Sequence, residues 1–190
     1  RADYLCALEP AVPWSIIAIT FTNKAANEMK ERLSRILDVS GMWVCTIHSM
    51  CVRILRMYPE EVGIQPNFSI YSETERSNII KKSFQECDFD DEKLLKSVKY
   101  HIANAKMLGF DPKRYAEEYA GERDIDDIVK VYERYQKHLR ENNALDFDDL
   151  LIKTLRLFEE SDETLEFFSS KFKNNIFCFH SIITSIPIIS

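Results

Sequence analysis

Residues 16–37 read IIAITFTNKAANEMKERLSRIL, and the change of hydrophobic period inside them decides the fold class. Ile16, Ile17, Ala18, Ile19 and Thr20 form an apolar run suited to a strand buried on both faces. Phe21, Thr22, Asn23 and Lys24 make a polar corner, after which Ala25, Ala26, Met29, Leu33, Ile36 and Leu37 recur at helical spacing. Thr22 or Asn23 is expected to cap this helix, and Glu28 and Arg32, four apart on its outer face, to pair. A strand feeding a helix through such a corner is how open parallel sheets present ligand-binding loops.

Phe21 has no clear place in the helix stripe and stands beside the Lys24 ammonium and free backbone N–H groups. Two readings follow. In one, Phe21 is a core residue and the polar residues merely cap a helix. In the other, the ring stacks on bases of a single-stranded nucleic acid while the donors hold phosphates.

Two more strand-then-helix units follow. Trp43–Ile47 is a β-type run opening into a helix over His48–Tyr58, with Thr46, His48 and Ser49 at the junction, where hydroxyls and an imidazole suit phosphate oxygens or sugars. A lone His at a helix start also serves as a cap or a satisfied core group. Phe68–Tyr71 is the third strand candidate, and Ser72 with Glu75 makes a capping box for the helix after it. Three such units predict an α/β parallel sheet.

From about Asp88 to Asn143 the pattern changes to helices with short polar connections. One runs from Lys93 to Leu108, stopped by Gly109 and Pro112, and another carries the stripe Ile125, Ile128, Val131, Tyr132, Tyr135 and Leu139. Leu145–Leu150 opens a further helix with Asp146 as cap and Asp149 three residues on; acids in a first turn answer the helix dipole, so Asp146, Asp148 and Asp149 are not read as metal ligands. Tyr100, Tyr115, Tyr119, Tyr132 and Tyr135 are expected in the core or lining grooves.

Composition is that of an ordinary globular chain: 190 residues, 45% hydrophobic and 29% charged, with only 4 Gly and 6 Pro. Five cysteines, at 6, 45, 51, 87 and 178, are odd in number and lack C-x-x-C spacing, which points to a reducing, cytoplasmic setting rather than disulfides or zinc. No signal peptide is visible, and the apolar run 176–190 is too short and broken to span a bilayer, so no membrane partner is expected. The net charge of −6 opposes nucleic-acid binding. Its distribution weakens that objection: residues 1–57 carry seven Lys or Arg against five Asp or Glu, and the other 133 carry eighteen against twenty-six.

TFTNKAANEM at 20–29 resembles the segment after the first nucleotide-binding strand in superfamily 1A DNA helicases of the UvrD/Rep/PcrA type. TIHSMCVRIL at 46–55, NFSIYSETE at 67–75, IANAK at 102–106 and LDFDDLL at 145–151 continue the resemblance in the family's order, over roughly residues 12–173. It implies a partial RecA-like parallel sheet with flanking helices plus an all-helical inserted subdomain. The implied divisions are 1–87 for the RecA-like part, 88–143 for the insertion, 144–175 for helices returning to the RecA-like part, and 176–190 for an atypical tail. It also implies a DNA-unwinding ATPase using ATP and Mg²⁺, a role in DNA repair, single-stranded DNA as partner, and helicase partner proteins. Phe21, Thr22, Asn23, Lys24, Thr46, His48 and Ser49 become the DNA-contact candidates.

Two departures set the expected activity. The family's phosphate loop, G-x-x-x-x-G-K-[ST], has no counterpart, since none of Gly41, Gly63, Gly109 or Gly121 is followed by Lys. The acidic DEYQDT-like segment is also missing: Phe167–Lys173, reading FFSSKFK, leads to Asn174, Asn175 and Ile176, with no Mg²⁺-holding Asp or water-activating Glu. The change after Lys173 fits a frameshift, an erroneous gene end or a natural truncation, and a start at Arg suggests a chain cut from something longer. The expectation is a helicase fragment without ATPase activity of its own and without catalytic, cofactor-binding or metal residues. The alternatives are a non-enzymatic single-stranded DNA or protein interaction module, and an inactive remnant.

Overall fold

A computed structural model describes residues 12–172. The tail 176–190, Cys6 and Cys178 lie outside the described residues. The chain is mixed α/β and mostly helical, with two small parallel sheets, and divides into two compact units: residues 12–62 with 153–172, and residues 63–152. The expected helical segment 88–143 falls wholly inside the second.

In the first unit, a short 3-10 turn at Pro13–Ser15 leads into β1 (Ile17–Thr20), which continues through α1 (Asn23–Ser34) to β2 (Trp43–Thr46) and α2 (Ile47–Met57). β1 and β2 pair in parallel, Ile17 opposite Trp43 and Thr20 opposite Thr46. A parallel pair needs a crossover connection, and α1 supplies it, packing on both strands. Gly41, with φ +87°, makes the turn into β2 in a backbone region that side chains disfavour. The predicted α1 stripe is only partly realised: Ala26 is buried, but Ala25 is exposed, and Ile36 lies past the helix end and is 67% exposed. The predicted Glu28–Arg32 pair forms at 2.6 Å.

Aromatic side chains fill the core of this unit. The ring of Trp43 lies 5.0 Å from Phe172 and 6.0 Å from Phe168 on α8 (Asp162–Lys171), and Tyr58 and Phe158 meet Phe168 edge-on. Such tilted pairs add to the burial of large apolar surface. Cys51 packs here as a small apolar residue, its thiol pushed up to about 12 by burial.

The second unit departs from the three-strand expectation. Of the predicted strand Phe68–Tyr71 only Ser69–Ile70 (β3) is extended, and it pairs with Ala144–Leu145 (β4), not with the β1–β2 sheet. Phe68 turns into the core, and Asn143, at φ +42°, holds the partner segment instead. Its Oδ1 accepts from the Gln65 N–H at 3.1 Å, and its carbonyl accepts from the Ser69 N–H at 2.9 Å. Asn tolerates this left-handed backbone, so the chain can leave a helix and enter a strand without a glycine.

Around that sheet lie α3 (Glu73–Glu86), α4 (Glu92–Met107), α5 (Pro112–Glu118) and α6 (Ile125–Glu141), with α7 (Phe147–Glu160) following β4. Ser72 and Glu75 form the predicted capping box, the Ser72 N–H donating to Glu75 at 2.7 Å. The predicted α6 stripe is buried throughout, from Ile125 to Leu139. Tyr115, Tyr132 and Tyr135 are core residues, Tyr119 is half-buried, and Tyr100 is 69% exposed, outside the expected core.

One polar cluster sits inside this apolar packing. The Lys106 ammonium, 2% exposed, lies 2.7 Å from both Asp146 and Asp149, and the Tyr135 hydroxyl donates to Asp146 at 2.6 Å. Asp146 and Asp149 also cap α7 reciprocally, each side chain accepting the other's backbone N–H. Arg76 approaches Asp146 and Asp148 within 3.8 and 3.2 Å, yet its Nε and Nη2 are buried without hydrogen-bond geometry to either. These contacts are ion pairs only.

Burial works against the Asp146 carboxylate, but the Lys106 charge and hydrogen bond hold it below the usual carboxylate range. Burial likewise opposes the Lys106 ammonium, and Asp149 and Asp146 together hold it above its ordinary value. Burial pushes Asp149 and Asp148 up.

Replacing Lys106 strands two buried carboxylates, so Lys106→Met is expected to cost about 3–5 kcal/mol in urea denaturation; a loss under about 1 kcal/mol would show the pair contributes only as a surface bridge does. A depressed carboxylate stabilises the fold above its unfolded value and loses that contribution as pH falls through its folded value. Asp146 therefore predicts a fall in stability as pH drops below 3.8. Asp148 and Asp149, being raised, act in the opposite sense, so the measurement is the difference between wild type and Asp146→Asn across that range. Parallel pH profiles for the two proteins would contradict the assignment.

Candidate nucleic-acid interface

The parallel register of β1 and β2 ends both strands at the same level, Thr20 beside Thr46. Both strand-to-helix corners therefore open at the carboxyl end of one sheet, the position where open α/β sheets bind ligands. The sequence candidates at 21–24 and 46–49 are brought to one sheet end by that register.

At the first corner the Thr20 hydroxyl donates to the Thr22 carbonyl at 3.0 Å, and Thr22 Oγ1 accepts the Ala25 N–H at 3.1 Å. Thr22 is thus the cap, with extended backbone (φ −127°), and Asn23 is the first helical residue. The two hydroxyls fix the direction in which the corner leaves the sheet. Phe21 is 100% exposed, which removes the core reading of this ring. A ring in water with no packing partner gains nothing for the fold. Asn23 and Lys24 are also exposed, and Lys24 makes no ion pair with a described residue, unlike Arg32 and Arg35 further along, each held by a Glu. The Thr22 cap takes the Ala25 N–H, and the exposed residues Asn23 and Lys24 stand at the positive end of the helix dipole.

The second corner is tighter. Thr46 is 7% exposed and accepts the Ser49 N–H at 3.3 Å, and its hydroxyl lies 2.9 Å from the Ser49 hydroxyl. Thr46 therefore positions the corner more than it offers itself to a ligand. Ser49 is exposed and His48 half-buried. Behind this corner, Arg53 stacks over the Trp43 ring at 4.6 Å, and the Lys171 ammonium lies over the same ring at 5.2 Å. Burial raises the Cys45 thiol, with Arg53 opposing. Cys45 is consequently a weak nucleophile.

The sequence reading did not single out Arg53 or Lys171, and it did not foresee the Thr20 hydroxyl as a strut of the first corner. Lys106 was also missed, although a signal existed. It falls four residues after Ile102 and eight after Val98, on the apolar face of α4, where a Lys needs a buried acidic partner.

The resemblance implies ATP and Mg²⁺, and the acidic triplet at the start of α7 is where the described residues gather carboxylates. Asp146 and Asp149 would be the carboxylate donors, but both already close on the Lys106 ammonium at 2.7 Å. No group of three or more His, Cys, Asp or Glu among the described residues is arranged to hold a metal ion. Nor is any described helix long and apolar enough to cross a membrane.

The UvrD/REP helicase N-terminal domain matches residues 1–177. The ATP-dependent DNA helicase PcrA of Bacillus subtilis is 42% identical over 177 residues, covering 91% of this chain and 24% of the relative. PcrA of Staphylococcus aureus is 36% identical over 179 residues with the same coverage, as is PcrA of Staphylococcus epidermidis. The chain spans about a quarter of the length of these relatives. With the match extending from the first residue through both corners and the helical unit, the chain belongs to the UvrD/REP helicase N-terminal domain family.

Proposed function

We propose that this chain is the single-strand-holding portion of the first motor domain of an ATP-dependent DNA helicase, with Phe21 stacking on a base. The observation that carries the reading is the fully exposed Phe21 ring at a helix N-terminus beside Lys24, which makes no ion pair with a described residue. Asn23, Lys24 and the α1 N–H groups would take phosphate oxygens, while Thr22 fixes the corner by capping. Ser49 and His48 would meet the backbone of the same strand at the second corner, positioned by Thr46. The family relation supports DNA as the partner. Residues 1–87 and 144–175 are read as the RecA-like part and 88–143 as its helical insertion, a reading supported by the insertion's lying wholly within one compact unit, although that unit also takes in residues 63–87 and 144–152.

Stacking on one aromatic ring is worth about 1–3 kcal/mol per base. Phe21→Ala should therefore weaken binding of a labelled oligothymidylate by about 5- to 100-fold in fluorescence anisotropy. Lys24→Ala should flatten the dependence of affinity on salt while sparing base stacking. Equal affinity of wild type and Phe21→Ala would remove the stacking role.

We further propose that these 190 residues alone do not turn over ATP. Phosphoryl transfer is positioning plus charge neutralisation by the loop Lys, Mg²⁺ and acidic partners. None of these is present in the sequence. The expected outcome is no DNA-stimulated phosphate release from the purified chain; a measurable rate that follows the protein through purification would overturn the proposal.

A further inference from the structure

The helical unit carries a groove of about 680 Å³, bounded by the end of α3, the start of α5 and the outer face of α6. Its volume is in the range that holds a ligand or a short peptide segment. Lys130, Arg134, Lys137 and Arg140 line one side at helical spacing, and Lys113 faces them from α5.

The charges in this groove are not mutually satisfied. Glu86 is taken by Arg134 and by His138, whose Nε2 lies 2.8 Å from it. Lys137 leans toward Glu141 at 3.7 Å, and Asp111 caps α5 by accepting the Arg114 N–H at 2.8 Å. Lys113, Lys130 and Arg140 are exposed and make no ion pair with a described residue. The Lys130 ammonium lies over the Phe89 ring, 5.5 Å away. Residues 63–152 carry fourteen Lys or Arg against nineteen Asp or Glu. The groove, with five cations and three acids, has the opposite sign to the unit that carries it.

We propose that this groove binds an acidic peptide segment of a partner protein, its carboxylates on Lys113, Lys130 and Arg140. Basic clusters recognise acidic motifs in this way, Arg by paired N–H donors and Lys as a point charge. A peptide suits the groove better than a DNA strand for two reasons. Glu133 stands among the cations, makes no ion pair with a described residue and can accept a peptide N–H, whereas a phosphodiester backbone has no donor to offer it. The acidic surroundings repel a dense row of phosphates more than two or three carboxylates.

The test is fluorescence anisotropy of the full chain with a fluorescein-labelled decapeptide of Glu and Ala, and in parallel with a labelled thymidine decamer. At about 50 mM salt, where screening is weak, the peptide is expected to bind wild type. Lys113→Glu combined with Arg140→Glu should weaken peptide binding by about tenfold or more. Lys81→Glu, on the exposed side of α3, should leave it unchanged. If circular dichroism shows the double variant unfolded, Lys113→Gln and Arg140→Gln singly carry the same comparison. The proposal falls if the peptide does not bind, if binding ignores these substitutions, or if they weaken the decamer as much as the peptide, which would make the groove a nucleic-acid site.

Discussion

The parallel pairing of β1 with β2 is the constraint on which the candidate interface depends. Two parallel strands cannot be joined by a tight turn, so the chain between them must return along the sheet as α1. That return puts the start of α1 and the start of α2 at the same sheet end. With Thr20 level with Thr46, the corner bearing Phe21 and the corner bearing Ser49 cannot be separated without breaking the ladder. The Thr20 and Thr22 hydroxyls then satisfy the polar groups at the first bend, leaving the Phe21 ring in water.

The helical unit is organised by a different constraint. A single ammonium, Lys106, answers two carboxylates at the cap of α7, and the Tyr135 hydroxyl takes up a further lone pair on Asp146. Burying ions is costly unless each is paired and hydrogen-bonded, so α4, α6 and the start of α7 must meet in one arrangement to satisfy them. Arg76 extends the cluster to Asp148 and Glu73 with poorer geometry. The acidic triplet that might suggest a metal site in a bare sequence is thus an ion-pair core closed by the protein's own cations.

Local signals in the sequence were sufficient wherever a residue's role depends on neighbours within one turn. The Ser72–Glu75 capping box, the Glu28–Arg32 pair and the α6 stripe all involve residues three or four apart, whereas the choice of Thr22 over Asn23 as the α1 cap, which the sequence left open, came from the structure. The readings failed where a partner lay far along the chain. Phe68–Tyr71 has strand composition, but its pairing with Ala144–Leu145 depends on the Asn143 bend some seventy residues away. Ile36 fits the α1 stripe by spacing, yet the helix ends at Ser34 and leaves it exposed.

The sequence by itself determined the order of elements, the helix caps and the ordered motif series that carries the family resemblance, because these reside in short-range periodicity and residue type. Tertiary structure alone decided whether Phe21 is core or surface, since exposure depends on what packs over a corner and no spacing rule reports it. It also decided that Lys106 pairs with Asp146 and Asp149 across forty residues, and that the cations of α6 face Lys113 across a groove. Those arrangements arise from desolvation and packing among distant segments, which the chain meets only once it is folded.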